Sequence, residues 1–147
     1  AEMRSLLVEL RPQAIVNSPL SDLIKNLCNG IQGRGDIEIQ LQVVGEFDIL
    51  PEIVQLQLYR ITQEVLNNIY KHARATLVNV ELRKQNGQID IVIADDGIGF
   101  DLEAIPAGHH GIMIMQERAD KIGASLQVDT ASGEGTYIHV TWHNERE

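Results

Sequence analysis

The sequence feature that most constrains the fold is an Asn86-Gly87 pair set between two runs of alternating apolar and polar residues. The runs cover residues 76–83 and 88–95, and residues 84–87 connect them. Asn-Gly favours the left-handed backbone of a tight turn, and period-two alternation is typical of strands with one buried face. The pattern therefore predicts an antiparallel β-hairpin in the middle of the chain.

Apolar residues at helical spacing predict three full helices. The first has Ser18 as N-cap and Pro19 at its first position, and it ends near residues 30–35. The second opens at Pro51, and the third covers residues 112–122. The apolar side of the second helix comprises Ile53, Leu58, Ile61, Val65, Leu66 and Ile69.

Further alternating runs predict strands over residues 37–44, 125–130 and 136–142, with a tight turn of residues 132–135 between the last two. Together with the hairpin they give about five strands, mostly adjacent antiparallel pairs. The economical arrangement is an α/β chain of the α+β type, a two-layer sandwich. Its mixed, mostly antiparallel sheet is covered on one face by three helices.

Length and charge exclude several classes of protein. The chain has 147 residues, with 12 Lys+Arg against 21 Asp+Glu and a formal net charge of −9. A chain of this size buries about 68–70% of its unfolded surface, so one domain with a full core is expected. The acidic balance argues against nucleic-acid binding. The single cysteine, Cys28, cannot form an internal disulfide, which fits a reducing compartment, and no apolar run of 18 residues predicts a membrane span.

The second helix carries a polar stripe that its packing does not require. At 100° per residue, Glu64, Asn68 and Lys71 lie within 60° of one another, and His72 lies at the margin. A solvated helix face is the plain interpretation. The alternative is that a carboxylate and an amide oxygen one turn apart serve Mg²⁺, which prefers oxygen ligands and keeps several waters.

An acidic and glycine-rich string, Asp95-Asp96-Gly97-Ile98-Gly99, follows the hairpin. Asp95 stands two residues beyond Ile93 in a row of alternate isoleucines, so it projects to the apolar face, whereas Asp96 projects to the other face and is expected to be solvated. A buried carboxylate is costly unless a donor satisfies it. Asp95 therefore either caps the following loop or accepts a hydrogen bond from a dedicated partner, in the protein or in a ligand.

Two more glycine strings flank the third helix. Gly108-His109-His110-Gly111-Ile112 precedes it, and backbone N–H groups at a helix N-terminus suit phosphate. An ordinary loop with solvent-facing histidines is the alternative, and a metal pair is disfavoured because adjacent residues diverge and no third ligand is near. The later string, residues 133–136, would be a plain hairpin turn if seen alone.

In this order and spacing, the four strings resemble the N, G1, G2 and final glycine boxes of the GHKL (Bergerat) ATP-binding fold, over roughly residues 53–142. This superfamily includes histidine kinases, Hsp90-type chaperones, type II topoisomerase ATPases and MutL-type repair proteins. Residues 108–119 are similar to the "G-H-x-G-L-x-x-M-x-E-R-A" signature of sensor kinases that signal to NarL-type response regulators. Leu10-Arg11-Pro12 resembles the end of their second dimerisation helix.

The resemblance implies that the chain binds ATP and Mg²⁺. By it, Asn68 would coordinate Mg²⁺ that bridges the phosphates, and Glu64 would act as or assist the general base, with an indirect role at the metal. Asp95 would accept a hydrogen bond from the adenine amino group. Residues 100–110 would form the ATP lid. The remaining nucleotide-binding residues that it implies are Lys71, His72, Gly97, Gly99, Gly108, Gly111, Ile112, Arg118 and Thr136.

The resemblance also implies a protein histidine kinase, which transfers the ATP γ-phosphoryl to a histidine for relay to an Asp of a NarL-type response regulator. The five histidines all lie outside the N-terminal helical segment, so the acceptor would belong to an upstream dimerisation domain. Residues 1–12 would be the tail of that domain and residues 13–147 the catalytic domain, in a homodimer with its catalytic part in the cytoplasm, whether or not a membrane anchor is present. A GHKL ATPase and a serine kinase of the anti-sigma-factor type are the alternatives.

Overall fold

The structure is a computed structural model that describes residues 12–98, 111–130 and 133–144. The predicted helix tail before Pro12 and the predicted ATP lid, residues 100–110, lie outside the described residues. The elements in chain order are α1 (Pro12–Val16), α2 (Leu20–Gln32), β1 (Glu38–Val44), α3 (Glu52–Asn68), a π-helical turn (Ile69–Ala73), β2 (Leu77–Gln85), β3 (Gln88–Asp95), α4 (Gly111–Lys121), β4 (Ser125–Thr130) and β5 (Thr136–His143).

The five strands form one sheet in the order β1-β2-β3-β5-β4. β1 pairs with β2 in parallel, and the other three pairings are antiparallel. The central hairpin closes at Asn86 and Gly87, whose φ angles of 54° and 77° are those of the predicted tight turn. The mixed, mostly antiparallel sheet of the sequence prediction is confirmed.

One face of the sheet supplies the core. Alternate residues of the three central strands are buried in the same apolar cluster as the inner sides of α2, α3 and α4. The strand residues of this face are Val78, Val80, Leu82, Ile89, Ile91, Ile93, Ile138, Val140 and Trp142. The predicted two-layer arrangement therefore follows from which side of each strand is apolar.

The opposite face of the sheet is polar. His139 Nε2 lies 2.8 Å from Asp90 Oδ1, and the Thr141 hydroxyl donates to the same oxygen at 3.0 Å. Gln88 Nε2 donates to the other oxygen of Asp90 at 2.9 Å. Although partial burial raises the pKa of Asp90, the hydrogen bonds from Gln88, His139 and Thr141 outweigh it and lower that pKa below its usual value.

Two local predictions are corrected. Ser18 does not cap α2: Pro19 is the N-cap residue without a side-chain cap bond, and its carbonyl accepts from the Asp22 and Leu23 amides. Ile53 was placed on the apolar side of α3 but is 50% exposed, whereas the next residue, Val54, is buried, so the buried side of α3 begins at Val54. The short helix α1 begins at Pro12, and proline suits a first helical turn.

Two expectations from composition can be compared with the structure. Cys28 is a free, buried thiol on α2, and burial raises its pKa to about 12, so it does not ionise near neutral pH. Within the described residues, none of the helices combines the length and the apolar composition needed to cross a bilayer.

Candidate functional site

Asp95 ends β3 on the helix-covered face, in the row that begins with Ile89, Ile91 and Ile93. Its Oδ1 accepts a 2.7 Å hydrogen bond from the Gly97 amide, which turns the chain back toward the strand end. Its Oδ2 is buried and has no hydrogen-bond partner among the described residues. The sequence had left two alternatives open, a loop cap and an acceptor awaiting a donor, and the two oxygens divide these roles between them.

The surroundings of Asp95 disfavour its ionised form. Burial raises the pKa of the Asp95 carboxyl, and the neighbouring charge of Asp96 raises it further. The Gly97 amide and the Thr136 hydroxyl act in the opposite direction without cancelling the shift. A donor on a ligand would relieve both the missing hydrogen bond and the cost of the buried charge.

Thr136 begins β5 directly opposite Asp95 in the β3–β5 register and is buried. Its hydroxyl lies 3.1 Å from that of Thr130, which also donates to the Gly135 carbonyl at 3.1 Å. Thr130 was not selected from the sequence, although its position at the other end of the same turn was a usable signal. The two hydroxyls extend the polar end of an otherwise apolar sheet face.

Gly135 holds the ends of β3 and β5 close together. A Cβ at this position would lie 2.3 Å from the Asp95 carbonyl oxygen, and the φ angle of 75° also favours glycine. The final glycine string is therefore more than a turn, because it allows the chain to pass directly against the residue that ends β3. Gly97 follows Asp95 and is half-buried, whereas Gly99 and Gly108 lie outside the described residues.

Glu64 and Asn68 lie one turn apart near the end of α3, and both are half-buried. Gln57 precedes Glu64 by seven residues, so it lies on the same side of the helix. The side-chain Oε1 of the buried Gln57 accepts a 3.2 Å hydrogen bond from the Arg118 guanidinium of α4. The side of α3 that carries Glu64 and Asn68 therefore faces α4, and it is more than a solvated face.

Arg118 bridges to α3 through Gln57, a partner that the sequence analysis missed. The signal for Gln57 was weak, because a glutamine on an amphipathic helix is ordinarily solvated. At the other end of α4, Gly111 is the first helical residue and the half-buried Ile112 packs against the core. The histidines of the adjoining string, His109 and His110, lie outside the described residues.

The α-helical geometry ends at Asn68, and residues 69–73 form a π-helical turn. Lys71, half-buried, and His72, exposed, belong to this turn. Because a π-turn advances through i→i+5 hydrogen bonds, the 100° spacing used to place Lys71 beside Glu64 does not apply to it. The turn ends at Arg74, whose left-handed φ of 52° redirects the chain into β2.

No group of three or more His, Cys, Asp or Glu side chains suited to hold a metal ion occurs in residues 12–98, 111–130 and 133–144. A cavity of about 360 Å³ lies elsewhere, between α2 and β1, and β2 separates that edge of the sheet from β3. Its lining includes Lys25, Cys28 and Leu41. Asp95 is not among its lining residues, so we assign the candidate site from the Asp95 oxygen that has no partner among the described residues and from the α3–α4 contact.

This fold and site define a class of ATP-binding domain. The profile of the family described as "Histidine kinase-, DNA gyrase B-, and HSP90-like ATPase" matches residues 53–146, which is more than half of the chain. The chain belongs to this family. ATP binding is the property that the family shares.

Within the family, the chain is similar to sensor kinases. It is 32% identical over 139 residues to the sensor histidine kinase LiaS of Bacillus subtilis (strain 168), covering 95% of this chain and 38% of that protein. It is 30% identical to the signal transduction histidine-protein kinase/phosphatase DegS of Brevibacillus brevis, covering 96% of this chain and 36% of that protein. The chain thus spans less than half the length of these relatives.

Solved structures give the same result for the fold. The mycobacterial sensor histidine kinase MprB superposes with a TM-score of 0.67 at 25% identity, over 86% of this chain and 95% of that one. The blue-light activated histidine kinase of Erythrobacter litoralis EL346 gives a TM-score of 0.72 at 24% identity, over 92% of this chain and 45% of that one. The fold is that of histidine kinase catalytic domains.

Proposed function

We propose that this chain is the ATP-binding catalytic part of a two-component sensor histidine kinase and transfers the γ-phosphoryl of ATP to a histidine outside the chain. The observation that supports it most is the buried Oδ2 of Asp95, which has no hydrogen-bond partner in the described part of the chain, in a member of this ATPase family. An exocyclic amino group of adenine is the kind of donor that this oxygen lacks. The similarity to LiaS and DegS favours the kinase over the other ATPases of the family.

The adenine end of the site would be built by β3 and β5. Asp95 would accept from the amino group, and the Thr136 hydroxyl would lie at the base of the pocket. Gly97 and Gly99 would let the backbone pass close to the nucleotide. The pKa of Asp95, which burial raises despite the hydrogen bonds from the protein, supports this role, because a ligand donor would stabilise the carboxylate further.

The phosphate end would be built by α3 and α4. Asn68, with Glu64 in an indirect role, fits Mg²⁺ through oxygen donors, which suits an ion that takes only one or two protein ligands and keeps waters and phosphate oxygens. When bound, Mg²⁺ would neutralise phosphate charge. The cationic groups Lys71, His72 and Arg118 would lie near the phosphates, as would Gly108 and the backbone N–H groups of Gly111 and Ile112 at the start of α4.

Transfer would break the bond from the γ-phosphorus to the bridging oxygen and form a bond from phosphorus to an imidazole nitrogen, with ADP as the leaving group. Glu64 would accept or orient the imidazole proton. The acceptor would lie on an upstream dimerisation helix; residues 1–12 would be the tail of that helix and residues 13–147 the catalytic domain. The phosphoryl group would then pass to an Asp of a NarL-type response regulator, in a homodimeric kinase with its catalytic part in the cytoplasm.

Nucleotide binding is tested by Asp95→Asn. Calorimetry with Mg²⁺ is expected to show ATP binding by the wild-type chain, weakened about 10- to 100-fold in the variant, because the loss of one charged hydrogen bond costs about 1.5–3 kcal/mol. Omission of Mg²⁺ is expected to weaken wild-type binding as well. A purine nucleoside triphosphate that lacks the 6-amino group should bind the wild-type chain as weakly as ATP binds the variant.

Asp90→Asn is the matched control, since Asp90 lies on the same strand but on the opposite face. A carboxyl whose pKa is raised by folding destabilises the folded state at pH values at which it is ionised. A carboxyl whose pKa is lowered by folding stabilises the folded state at pH values above its pKa in the unfolded chain. At pH 7, Asp95→Asn should therefore keep or raise Tm while it loses ATP, and Asp90→Asn should lower Tm while it keeps ATP. Equal ATP affinity in Asp95→Asn and the wild type would contradict the assignment.

Phosphoryl transfer is tested with γ-labelled ATP. The chain alone is expected to remain unlabelled, whereas a supplied dimerisation helix that contains an acceptor histidine should become labelled, with an acid-labile, base-stable bond. Asp95→Asn should reduce this labelling at ATP concentrations well below the Kd of the variant. Robust release of inorganic phosphate by the chain alone, without labelling of the helix, would favour the ATPase over the kinase.

A further inference from the structure

Asp96 is exposed, yet its carboxylate accepts three hydrogen bonds from the start of the neighbouring strand β2. Its Oδ1 accepts from the amides of Thr76 at 2.8 Å and Leu77 at 3.0 Å. Its Oδ2 accepts from the Thr76 hydroxyl at 2.7 Å. The Asp96 amide in turn donates to the Leu77 carbonyl at 3.2 Å. These four bonds join the residue after β3 to the residues at which β2 begins.

The end of β3 is therefore fixed from two sides. Asp96 ties it to β2, and Gly135 allows the β5 side to press against the Asp95 carbonyl. Asp95 lies between these contacts, and its Oδ1 accepts a hydrogen bond from the Gly97 amide. A surface aspartate that merely solubilised the loop would need none of the bonds to β2.

We propose that Asp96 is the positioning residue of the nucleotide site, which holds Asp95 at the angle that adenine recognition requires and keeps a negative charge beside it. The inference rests on the proposed function, since it concerns the residue that we assign to adenine. Asp96 does not itself touch the nucleotide in this proposal. It acts through the backbone of β3 and through its charge.

The charge of Asp96 supports the second part of this role. Hydrogen bonds from Leu77 and Thr76 lower the pKa of Asp96, so it stays ionised where Asp95, whose pKa is raised, begins to titrate. The side chains that β2, β5 and β4 place at this end of the sheet are Val78, Thr136 and Thr130, and none of them ionises. Asp96 is thus the charged group that acts on Asp95 among the described residues.

Two substitutions separate position from charge. In Asp96→Asn the amide oxygen can still accept from the Thr76 and Leu77 amides, and the amide nitrogen can donate to the Thr76 hydroxyl, so the bonds remain and the charge is lost. Asp96→Ala removes both. We expect ATP affinity at pH 7.5 to fall about tenfold in Asp96→Ala, as expected for the loss of one or two net hydrogen bonds, and to change less than about twofold in Asp96→Asn.

The pH profile provides a readout that a purely structural role would not move. Loss of the neighbouring negative charge lowers the pKa of Asp95. The pH below which ATP affinity falls should therefore be lower in Asp96→Asn than in the wild type. The titration of ATP itself is common to all variants and cancels in the comparison. Asp120→Asn is the matched control, since Asp120 is an exposed α4 carboxylate that also accepts a side-chain hydrogen bond, from Gln116, and its profile should match the wild type.

Two further affinity measurements test whether Asp96 acts through Asp95. For the purine triphosphate that lacks the 6-amino group, Asp96→Ala and the wild type should have equal affinities. For ATP, the double variant Asp95→Asn/Asp96→Ala should bind as weakly as Asp95→Asn alone. Suppose that the wild type binds ATP and that Asp95→Asn weakens the binding. If Asp96→Ala and Asp96→Asn then have the ATP affinity of the wild type at every pH, the positioning role is wrong and the proposed function stands. If wild type does not bind ATP, both are wrong.

Discussion

At the scale of single residues, two adjacent aspartates have opposite surroundings and opposite pKa shifts. Asp95 points under the helices, where burial raises its pKa, whereas Asp96 points outward, where hydrogen bonds from Leu77 and Thr76 lower its pKa. Strand alternation in the sequence predicted the two directions correctly. It did not predict that the exposed member would be the one with more hydrogen bonds, because those donors are 19 and 20 residues away.

Gly135→Ala tests how tightly β5 approaches the end of β3. The added Cβ would meet the Asp95 carbonyl oxygen at 2.3 Å, whereas at Gly133, with a similar φ of 82°, a Cβ meets nothing within 4 Å. Gly133→Ala should therefore cost about 1–2 kcal/mol from the left-handed backbone alone. Gly135→Ala should cost at least about 2 kcal/mol more, by analogy with overpacked sites.

Denaturant unfolding and ATP calorimetry of the two glycine variants measure these effects. Only Gly135→Ala should also weaken ATP binding, because only there must the backbone of Asp95 move. Equal losses of stability in the two variants would show that the close approach has no energetic importance.

At the scale of elements, α3 contributes to both the site and the scaffold. Its last turn carries Glu64 and Asn68 and then changes to a π-turn, a rare conformation that is frequent at functional sites. Its first turns hold the N-terminal helix α1 through Gln55, which is fully buried. The side-chain Nε2 of Gln55 donates to the backbone carbonyls of Ile15 and Ser18, and the side-chain Oε1 accepts from the Leu50 amide.

Gln55→Leu should destabilise the domain by about 2–4 kcal/mol, because it leaves buried backbone groups of two other segments without partners. Thr62→Val is the matched control on the same helix. Thr62 is also fully buried, but its hydroxyl donates to the Leu58 carbonyl within α3, so its loss should cost less than about 1 kcal/mol. Urea unfolding measures both, and equal costs would show that Gln55 does not join α1 to α3.

At the scale of the whole molecule, the strand order determines which residues meet. β5 pairs with β3 even though α4 and β4 come between them in the chain, so Thr136 lies opposite Asp95 across 41 positions of sequence. α4 packs on α3 through Arg118 and Gln57, 61 residues apart. The net charge of −9 adds to the charge of ATP, so Mg²⁺ binding is expected to be more important for this chain than for a neutral one.

The helices and strands could be predicted closely from the sequence because their signals are local. Period-two and helical spacing give one buried face each, and Asn86-Gly87 gives the hairpin; both were confirmed. The errors at Ser18 and Ile53 both concern helix ends. The cap of α2 depends on the backbone geometry at Ser18 and Pro19, and the burial of Ile53 depends on which other elements pack against the first turn of α3. The π-turn after Asn68 was missed because a local 100° rule has no means of detecting a change of helical period.

The residues by themselves determined that this chain forms a sheet with one apolar face, that Asp95 belongs to that face, and that four glycine and acidic strings share the spacing of an ATP-binding family. The first two conclusions follow from periodicity and backbone preference, which act over a few residues, and the third is a resemblance to a known family. Only the tertiary structure decided that Asp95 Oδ2 has no partner among the described residues, that Asp96 is bound to β2, and that Arg118 contacts Gln57. Hydrogen bonds between distant segments depend on how the layers pack, and that packing depends on the whole chain.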